Sequence, residues 1–311
     1  MSAEASAGTI PVEKKRNVWK EMRRNRWAYV FISPFYILFL VFGLGPFLFS
    51  IYMSFSKWDG LGPIEFVGLK NFQFLFGPGG RVFWESIRNG IFLFIMYVPI
   101  MTFLAIVLAV ILNSARVRGF RFFRTLLFAP YVTSMIAAGF VFQLLLVKDG
   151  GLFNIILEAV GFAPVPWLDA EWPARVSLCL LVIWGWLGYN MVIMLAGLQT
   201  IPRELTEAAQ IDGASPVQAF FRITIPLLRP VILFSAVLST AGTFALFNEV
   251  MALTSINPGG PKNAVLTPFV HVYNIAFSNF RFGRASAMSY VYALLILVLT
   301  LFQNRLIGKR D

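Results

Sequence analysis

VSLCLLVIWGWLGYNMVIMLAGLQTIP, residues 176–202, runs for 27 positions without a charged side chain. Crossing a hydrocarbon layer of about 30 Å takes roughly 20 apolar residues in a helix, so this run is long enough to span a membrane once. Five further charge-free runs share its character, at 27–56, 89–115, 125–147, 230–248 and 285–304. The chain as a whole is 58% hydrophobic and only 13% charged, with a mean hydropathy of +0.73, which excludes an ordinary soluble domain. Backbone amides cannot stay unpaired in lipid, so each run should be a helix, with Pro34, Pro46 and Pro99 as kinks supported by neighbouring helices. The expected fold is an all-α membrane protein with six transmembrane helices.

The first run is too long, and lacks the small-residue cleavage site, to be a removed signal peptide, so it is expected to remain as an anchor. Cys179 is the single cysteine and lies in the fourth run. It allows no intrachain disulfide and reads as a small buried apolar side chain.

A net charge of +11 would suggest nucleic acid in a soluble protein. Here the basic residues follow the alternation of the spans. Seventeen Lys and Arg, including Lys14, Lys15, Arg16, Arg116, Arg118, Arg203 and Arg305, fall before span one, between spans two and three, after span four and after span six. Nine fall in the loops at 57–88, 148–175 and 249–284. The positive-inside rule therefore places both termini in the cytoplasm. The organisation expected is a basic cytoplasmic tail at 1–26, whose first 13 residues are disordered, a six-span domain at 27–307, and a short tail at 308–311. The tail reads as an anchor to lipid headgroups, and nucleic-acid binding is not expected.

After span four comes ELTEAAQIDGASPVQAFFRITIPLLRP, residues 204–230, a polar segment within a loop at 200–230. It reads as two short helices. Pro202 suits a first helical turn and Glu204 and Glu207 sit near the positive end of its dipole. Asp212-Gly213 ends that helix, Ser215 can cap the next, and Pro216 takes its first position. The hairpin is either a solvated element on the membrane surface or a docking surface, since it carries Ala208, Ala209, Phe220 and Phe221.

The spacing Glu207-Ala208-Ala209, three residues, Gly213, nine residues, Ile223-Thr224-Ile225-Pro226 resembles the EAA motif of permease subunits of binding-protein-dependent ABC importers. GLKNF at 68–72, RTLLFAPYVTS at 124–134, AGLQTIPREL at 196–205, NPGGP at 257–261 and GRASAMSYVYAL at 283–294 are similar to the carbohydrate-importing, maltose-permease-like branch. The resemblance covers about 27–307. It implies the type I ABC importer permease fold and a coupling helix that contacts an ATPase through Glu207, Ala208, Ala209, Asp212, Gly213, Ile223 and Pro226. It also implies a second homologous permease subunit in a heterodimer, two cytoplasmic ATP-binding subunits and an extracytoplasmic solute-binding protein.

No G-x-x-x-x-G-K-[ST] phosphate loop occurs, so this chain is expected to bind no cofactor, with ATP and Mg²⁺ used by the partner ATPase. Charge-free spans argue against the alternative, an ion-coupled secondary transporter, which keeps ionisable groups near the midplane. The single histidine, His271, has no metal-ligand spacing around it and reads as a surface residue of an external loop; no metal site and no catalytic residues are expected.

A sugar site wants aromatic faces together with amide or hydroxyl partners. Polar residues in the spans supply the candidates: Tyr131, Thr133 and Ser134 in span three, Trp184, Trp186, Tyr189 and Asn190 in span four, Ser239, Thr243 and Asn248 in span five, and Glu249 at its external end. Each is also readable as an interfacial aromatic or a helix-packing hydroxyl, and Glu249 as a gate, a substrate contact or an interfacial charge. The resemblance favours Tyr131, Tyr189, Ser239 and Thr243 as cavity residues. Two departures point to a smaller or differently shaped substrate: Thr243 and Leu246 stand where relatives carry amides, and Trp186 where they carry glycine. NPGGP and the glycine-rich turn at 77–80 read either as a platform for the binding protein or as ordinary loop punctuation.

Overall fold

The computed structural model describes residues 18–114 and 119–307. The tail with Lys14–Arg16, Arg116 and Arg118, and residues 308–311 lie outside that range. The described chain runs α1 (Val18–Arg24), α2 (Arg26–Leu38), α3 (Gly45–Ser54), β1 (Ser56–Lys57), β2 (Glu65–Phe66), α4 (Lys70–Phe76), α5 (Arg81–Asn113), α6 (Phe120–Val132), α7 (Met135–Leu145) and α8 (Leu152–Ala159). It continues through α9 (Glu171–Gln199), α10 (Arg203–Ile211), α11 (Pro216–Ala219), α12 (Ile225–Phe244), α13 (Asn248–Leu253), α14 (Pro268–Tyr273) and α15 (Phe282–Ile307).

Two compact units divide the chain after Tyr52. The first holds α2 and all of α3 but Met53 and Ser54, and a π-helical turn at Phe39–Leu44 joins the two helices into one apolar stretch, Arg26–Ser54. The turn has a local cause. Pro46 has no N–H to offer and its ring crowds the preceding turn, so the ladder widens just before it and Gly45 N–H reaches Leu40 O. The same device recurs ahead of Pro226, where a π-helical turn at Phe220–Thr224 ends with Ile225 N–H on Phe220 O.

In the second unit α5 and α9 share the most extensive helix interface, with α6 and α12 packed against α9 and α15 against α12. Ala105, Ala109, Met191, Met194, Leu195 and Leu228 fill one end of this core. Leu93, Met101, Leu178, Leu181, Val250 and Leu253 fill the other, joining α5 and α9 to α13. Cys179 is buried there as expected. Hydrogen bonds between polar side chains tie the spans laterally: buried Ser235 Oγ donates to buried Asn190 Oδ1 at 2.6 Å, and half-buried Gln303 Nε2 to buried Thr240 Oγ1 at 2.7 Å. In hydrocarbon such bonds contribute about 1 kcal/mol each.

Among the described residues five helices are long and apolar enough to cross a membrane, and the third charge-free run forms a bent pair that makes a sixth if it crosses as one span. It is not one straight helix: α6 and α7 meet at 91°. Pro130 removes an amide donor near the end of α6, Thr133 turns extended with its hydroxyl on Pro130 O, and Ser134 caps α7 by accepting Ala137 N–H at 3.4 Å. The fifth run also ends early. α12 stops at Phe244, and Asn248 opens the separate short helix α13.

His271 is a correction of another kind. It is buried on α14 beside the Phe83 ring, and burial pushes its pKa down to about 4. The residue lies in an uncharged, largely apolar stretch between Lys262 and Arg281, outside the six long runs, and this segment folds back onto α5. Asn89 Nδ2, on α5, donates to Asn263 O at 2.6 Å and helps hold that segment down.

Candidate functional site

Two regions of the second unit collect the residues singled out by sequence. The first is the hairpin of α10 and α11. Gly213 adopts φ +86°, a left-handed conformation that costs a side-chain-bearing residue and nothing to glycine. Around it Ala214 N–H donates to Ala209 O at 2.8 Å and Gly213 N–H to Gln210 O at 3.1 Å, the paired bonds of a Schellman stop. Asp212 is the last residue before that turn. Ser215 then starts α11 with a reciprocal cap: Gln218 N–H donates to Ser215 Oγ at 3.2 Å and Ser215 N–H to Gln218 Oε1 at 2.8 Å.

Glu207, Ala208, Asp212 and Gly213 are exposed on this hairpin, whereas Ala209, Ile223 and Pro226 are half-buried. Phe220, expected on the surface, packs instead with the core that joins α5, α9 and α12, and Ala219 beside it is fully buried. These two residues root the hairpin in the bundle. The apolar surface it presents outward is made by Ile211 (86% exposed), Val217 (65%) and Phe221 (63%). The hairpin is thus anchored at one edge and bare along an apolar face.

The second region lies among α6, α9 and α12. Tyr131 and Tyr189 stack with ring centroids 4.7 Å apart and planes at 19°, and Trp186 closes the group edge-on to both at 5.3 and 6.1 Å. Gly188 makes the approach possible, because a Cβ there would lie 2.0 Å from Leu127 O on α6. Tyr189, Trp186, Asn190 and Ser239 line a cavity of about 50 Å³ together with Tyr97 and Met101. Ligand pockets run to roughly 300–1,000 Å³, so the second unit does not by itself enclose a solute here.

The remaining candidates divide by what their polar atoms already do. Thr243 is fully buried; its hydroxyl donates to Ser239 O at 2.6 Å, so the 2.6 Å contact with Tyr97 is donated by the tyrosine. Asn190 gives its amide hydrogens to Trp186 O at 3.0 Å and Met101 Sδ at 3.6 Å and receives Ser235. Both residues are bound up in helix contacts. Ser134 is exposed and caps α7, and Asn248 is exposed at the head of α13. Glu249 is buried, not interfacial, and Trp186 Nε1 donates to its Oε1 at 3.3 Å. Tyr97, the residue that sequence reading passed over, is an isolated tyrosine in a charge-free run, and nothing in that run marks it as facing Thr243.

Residues 81–310 match the family described as "Binding-protein-dependent transport system inner membrane component". The chain belongs to that family. Among its relatives, the lactose transport system permease protein LacF of Rhizobium radiobacter is 38% identical over 282 residues, covering 90% of this chain and 92% of LacF. The arabinooligosaccharides transport system permease protein AraP of Bacillus subtilis is 33% identical over 304 residues, covering 96% and 95%. In fold, the permease superposes on a chain of a bacterial ABC transporter that imports the acidic polysaccharide alginate. The TM-score is 0.77 at 24% identity, covering 94% of this chain and 99% of that one. The permease is thus a multi-pass membrane transport subunit rather than an enzyme, with the type I importer permease fold.

Proposed function

We propose that this permease forms half of the translocation pathway of an ATP-driven importer for a neutral sugar or sugar-like solute, as one member of a permease heterodimer. Two cytoplasmic ATP-binding subunits supply the energy and hold ATP and Mg²⁺. An extracytoplasmic solute-binding protein delivers substrate, and both termini face the cytoplasm, as the skew of basic residues supports.

The observation that carries this reading is the capped, outward-facing hairpin of α10 and α11. It would dock on an ATPase through Glu207, Ala208 and the Asp212-Gly213 turn, with Ala209, Ile223 and Pro226 passing the motion into α12. Closure of the ATPases would move the hairpin and, through the rooted Ala219 and Phe220, the α5–α9–α12 core. Substrate would be held against the Tyr131, Tyr189 and Trp186 rings, with Ser239 as a polar partner and the second permease as the other wall. Support for a sugar comes from the lactose and arabinooligosaccharide systems of the relatives and from the stacked aromatic faces, which suit the C–H edges of a sugar ring.

The complete complex in liposomes, with binding protein and substrate outside and ATP on the ATPase side, is expected to import without an ion gradient. Glu207→Lys is expected to abolish stimulated ATP hydrolysis while the complex still assembles. Uptake by this chain alone under a proton or sodium gradient, or full coupling in the variant, overturns the reading.

A further inference from the structure

At the end of α12 away from the hairpin, the β1–β2 turn and the first turns of α4 and α15 enclose a cleft of about 330 Å³, within the roughly 300–1,000 Å³ of ligand-sized pockets. Its chemistry is one-sided. Lys57, Lys70, Arg281 and Arg284 line it, with Trp58 and Asn71, and no carboxylate is among its lining residues.

Lys57 reaches Glu65 across the strand pair at 3.7 Å. Among the described residues Lys70, Arg281 and Arg284 are in no ion pair. Three cations gathered without a counter-charge repel one another, and an anion relieves that repulsion.

The walls are held in place. Asn71 Nδ2 donates to Ser54 O at 2.9 Å and Ser56 O at 2.8 Å, fixing α4 to the start of β1. Arg284 lies over the Phe74 ring at 3.9 Å, which restrains its guanidinium. Depth in the membrane follows from the sequence of α15. Arg281 and Arg284 flank Phe282, where the apolar span 282–305 begins, and Trp58 and Phe282 pack ring against ring at 5.4 Å. Aromatic rings and basic residues at the mouth of a span mark the headgroup layer.

The geometry points to a site for the headgroup phosphate of an anionic phospholipid in this cleft. The Arg281 and Arg284 guanidinium groups offer planar pairs of N–H donors to phosphate oxygens, and Lys57 and Lys70 add unoriented positive charge. A glycerol headgroup has room in the remaining volume, and a choline headgroup brings a cation into a cationic cleft.

The test uses the assembled transporter, purified in detergent and titrated with phosphatidylglycerol, phosphatidylcholine or inorganic phosphate, with bound species read by native mass spectrometry. Wild-type protein is expected to retain phosphatidylglycerol saturably and in preference to phosphatidylcholine. The Lys70→Gln, Arg281→Gln double variant, which alters two exposed side chains, is expected to lose that retention at least tenfold. Lys148→Gln, a charge change outside the cleft, is expected to leave it unchanged. Should the double variant fail to assemble, either single substitution decides by a loss of threefold or more. Equal retention in wild type and variants, or displacement of the lipid by millimolar inorganic phosphate with the same residue dependence, overturns the assignment; the second result would make this a site for free phosphate.

Discussion

Tyr131 at the end of α6 and Tyr189 in α9 lie face to face at 4.7 Å, two residues before the chain turns extended at Thr133. The break between α6 and α7 thus sits directly beside the aromatic group, and a change in the 91° bend would move Tyr131 relative to its partner. Stacking of this kind contributes about 0.5–1.5 kcal/mol beyond the area buried, small enough for a sugar ring to compete with it.

Tyr189→Ala removes one platform and frees the other. Substrate uptake is expected to fall about tenfold, the scale of 1–2 kcal/mol of lost interaction, while ATPase activity stimulated by the binding protein persists because the hairpin is untouched. Tyr189→Phe keeps the ring and is expected to retain most uptake. Side-by-side uptake and ATPase assays decide; parallel loss of both activities would show that the stack only holds helices together.

Tyr97 and Thr243 behave as a structural pair. Tyr97→Phe deletes a donor while Thr243 keeps its bond to Ser239 O, for a cost of about 1 kcal/mol. Thr243→Val leaves the buried Tyr97 hydroxyl without that partner and should cost about 1–3 kcal/mol. The double variant is expected to be less destabilised than the sum of the two, since no orphaned hydroxyl remains. Thermal unfolding of the three purified variants measures the coupling. Loss of uptake at an unchanged Tm would instead return Thr243 to the substrate path.

The buried His271 makes stability sensitive to acid. Burial depresses its folded pKa to about 4 from the ordinary 6.5, so the unfolded chain binds more protons between those values. Its contribution is therefore fully present above pH 6.5 and is lost as pH falls towards 4, by at most about 3 kcal/mol. Wild-type Tm is expected to drop across this window. His271→Leu, which matches the apolar setting beside Phe83, is expected to flatten the drop, and an unchanged slope in that variant would assign the sensitivity to other groups.

How far the sequence carries is visible in particular residues. The spans could be read because lipid tolerates few charges and no unpaired amides, and Ser215, Pro216 and Gly213 announced the hairpin because caps and left-handed turns are local chemistry. The break in the third run was written there too, in Pro130 and the Ser134 cap, but the absence of charge across 125–147 hid it. Burial of Glu249 and His271 could not be read. It depends on α13 and α14 folding back onto α7 and α5, contacts between positions far apart in the chain. The same holds for Thr243, whose partner Tyr97 is 146 residues away, and for the basic cleft, which combines loops more than two hundred residues apart.

Gly213 offers a graded test of the coupling role because its requirement is conformational rather than steric. At φ +86° nothing lies within 4 Å of where a Cβ would sit, so any penalty comes from the backbone and not from a clash. Asparagine tolerates left-handed conformations, alanine less so, and β-branched valine least. Stimulated ATPase and uptake are therefore expected to decline together in the order Gly213→Asn, Gly213→Ala, Gly213→Val, with the valine variant losing the turn that separates α10 from α11. The complex should still assemble in each case, because Ala219 and Phe220 root the hairpin independently. Cysteine pairs joining α10 to an ATPase surface, crosslinked in the wild-type background and in each variant, would follow the docking directly. Equal activity in asparagine and valine variants would show that the Asp212-Gly213 turn does not set the hairpin's geometry, and that coupling runs through the Ile223–Pro226 segment alone.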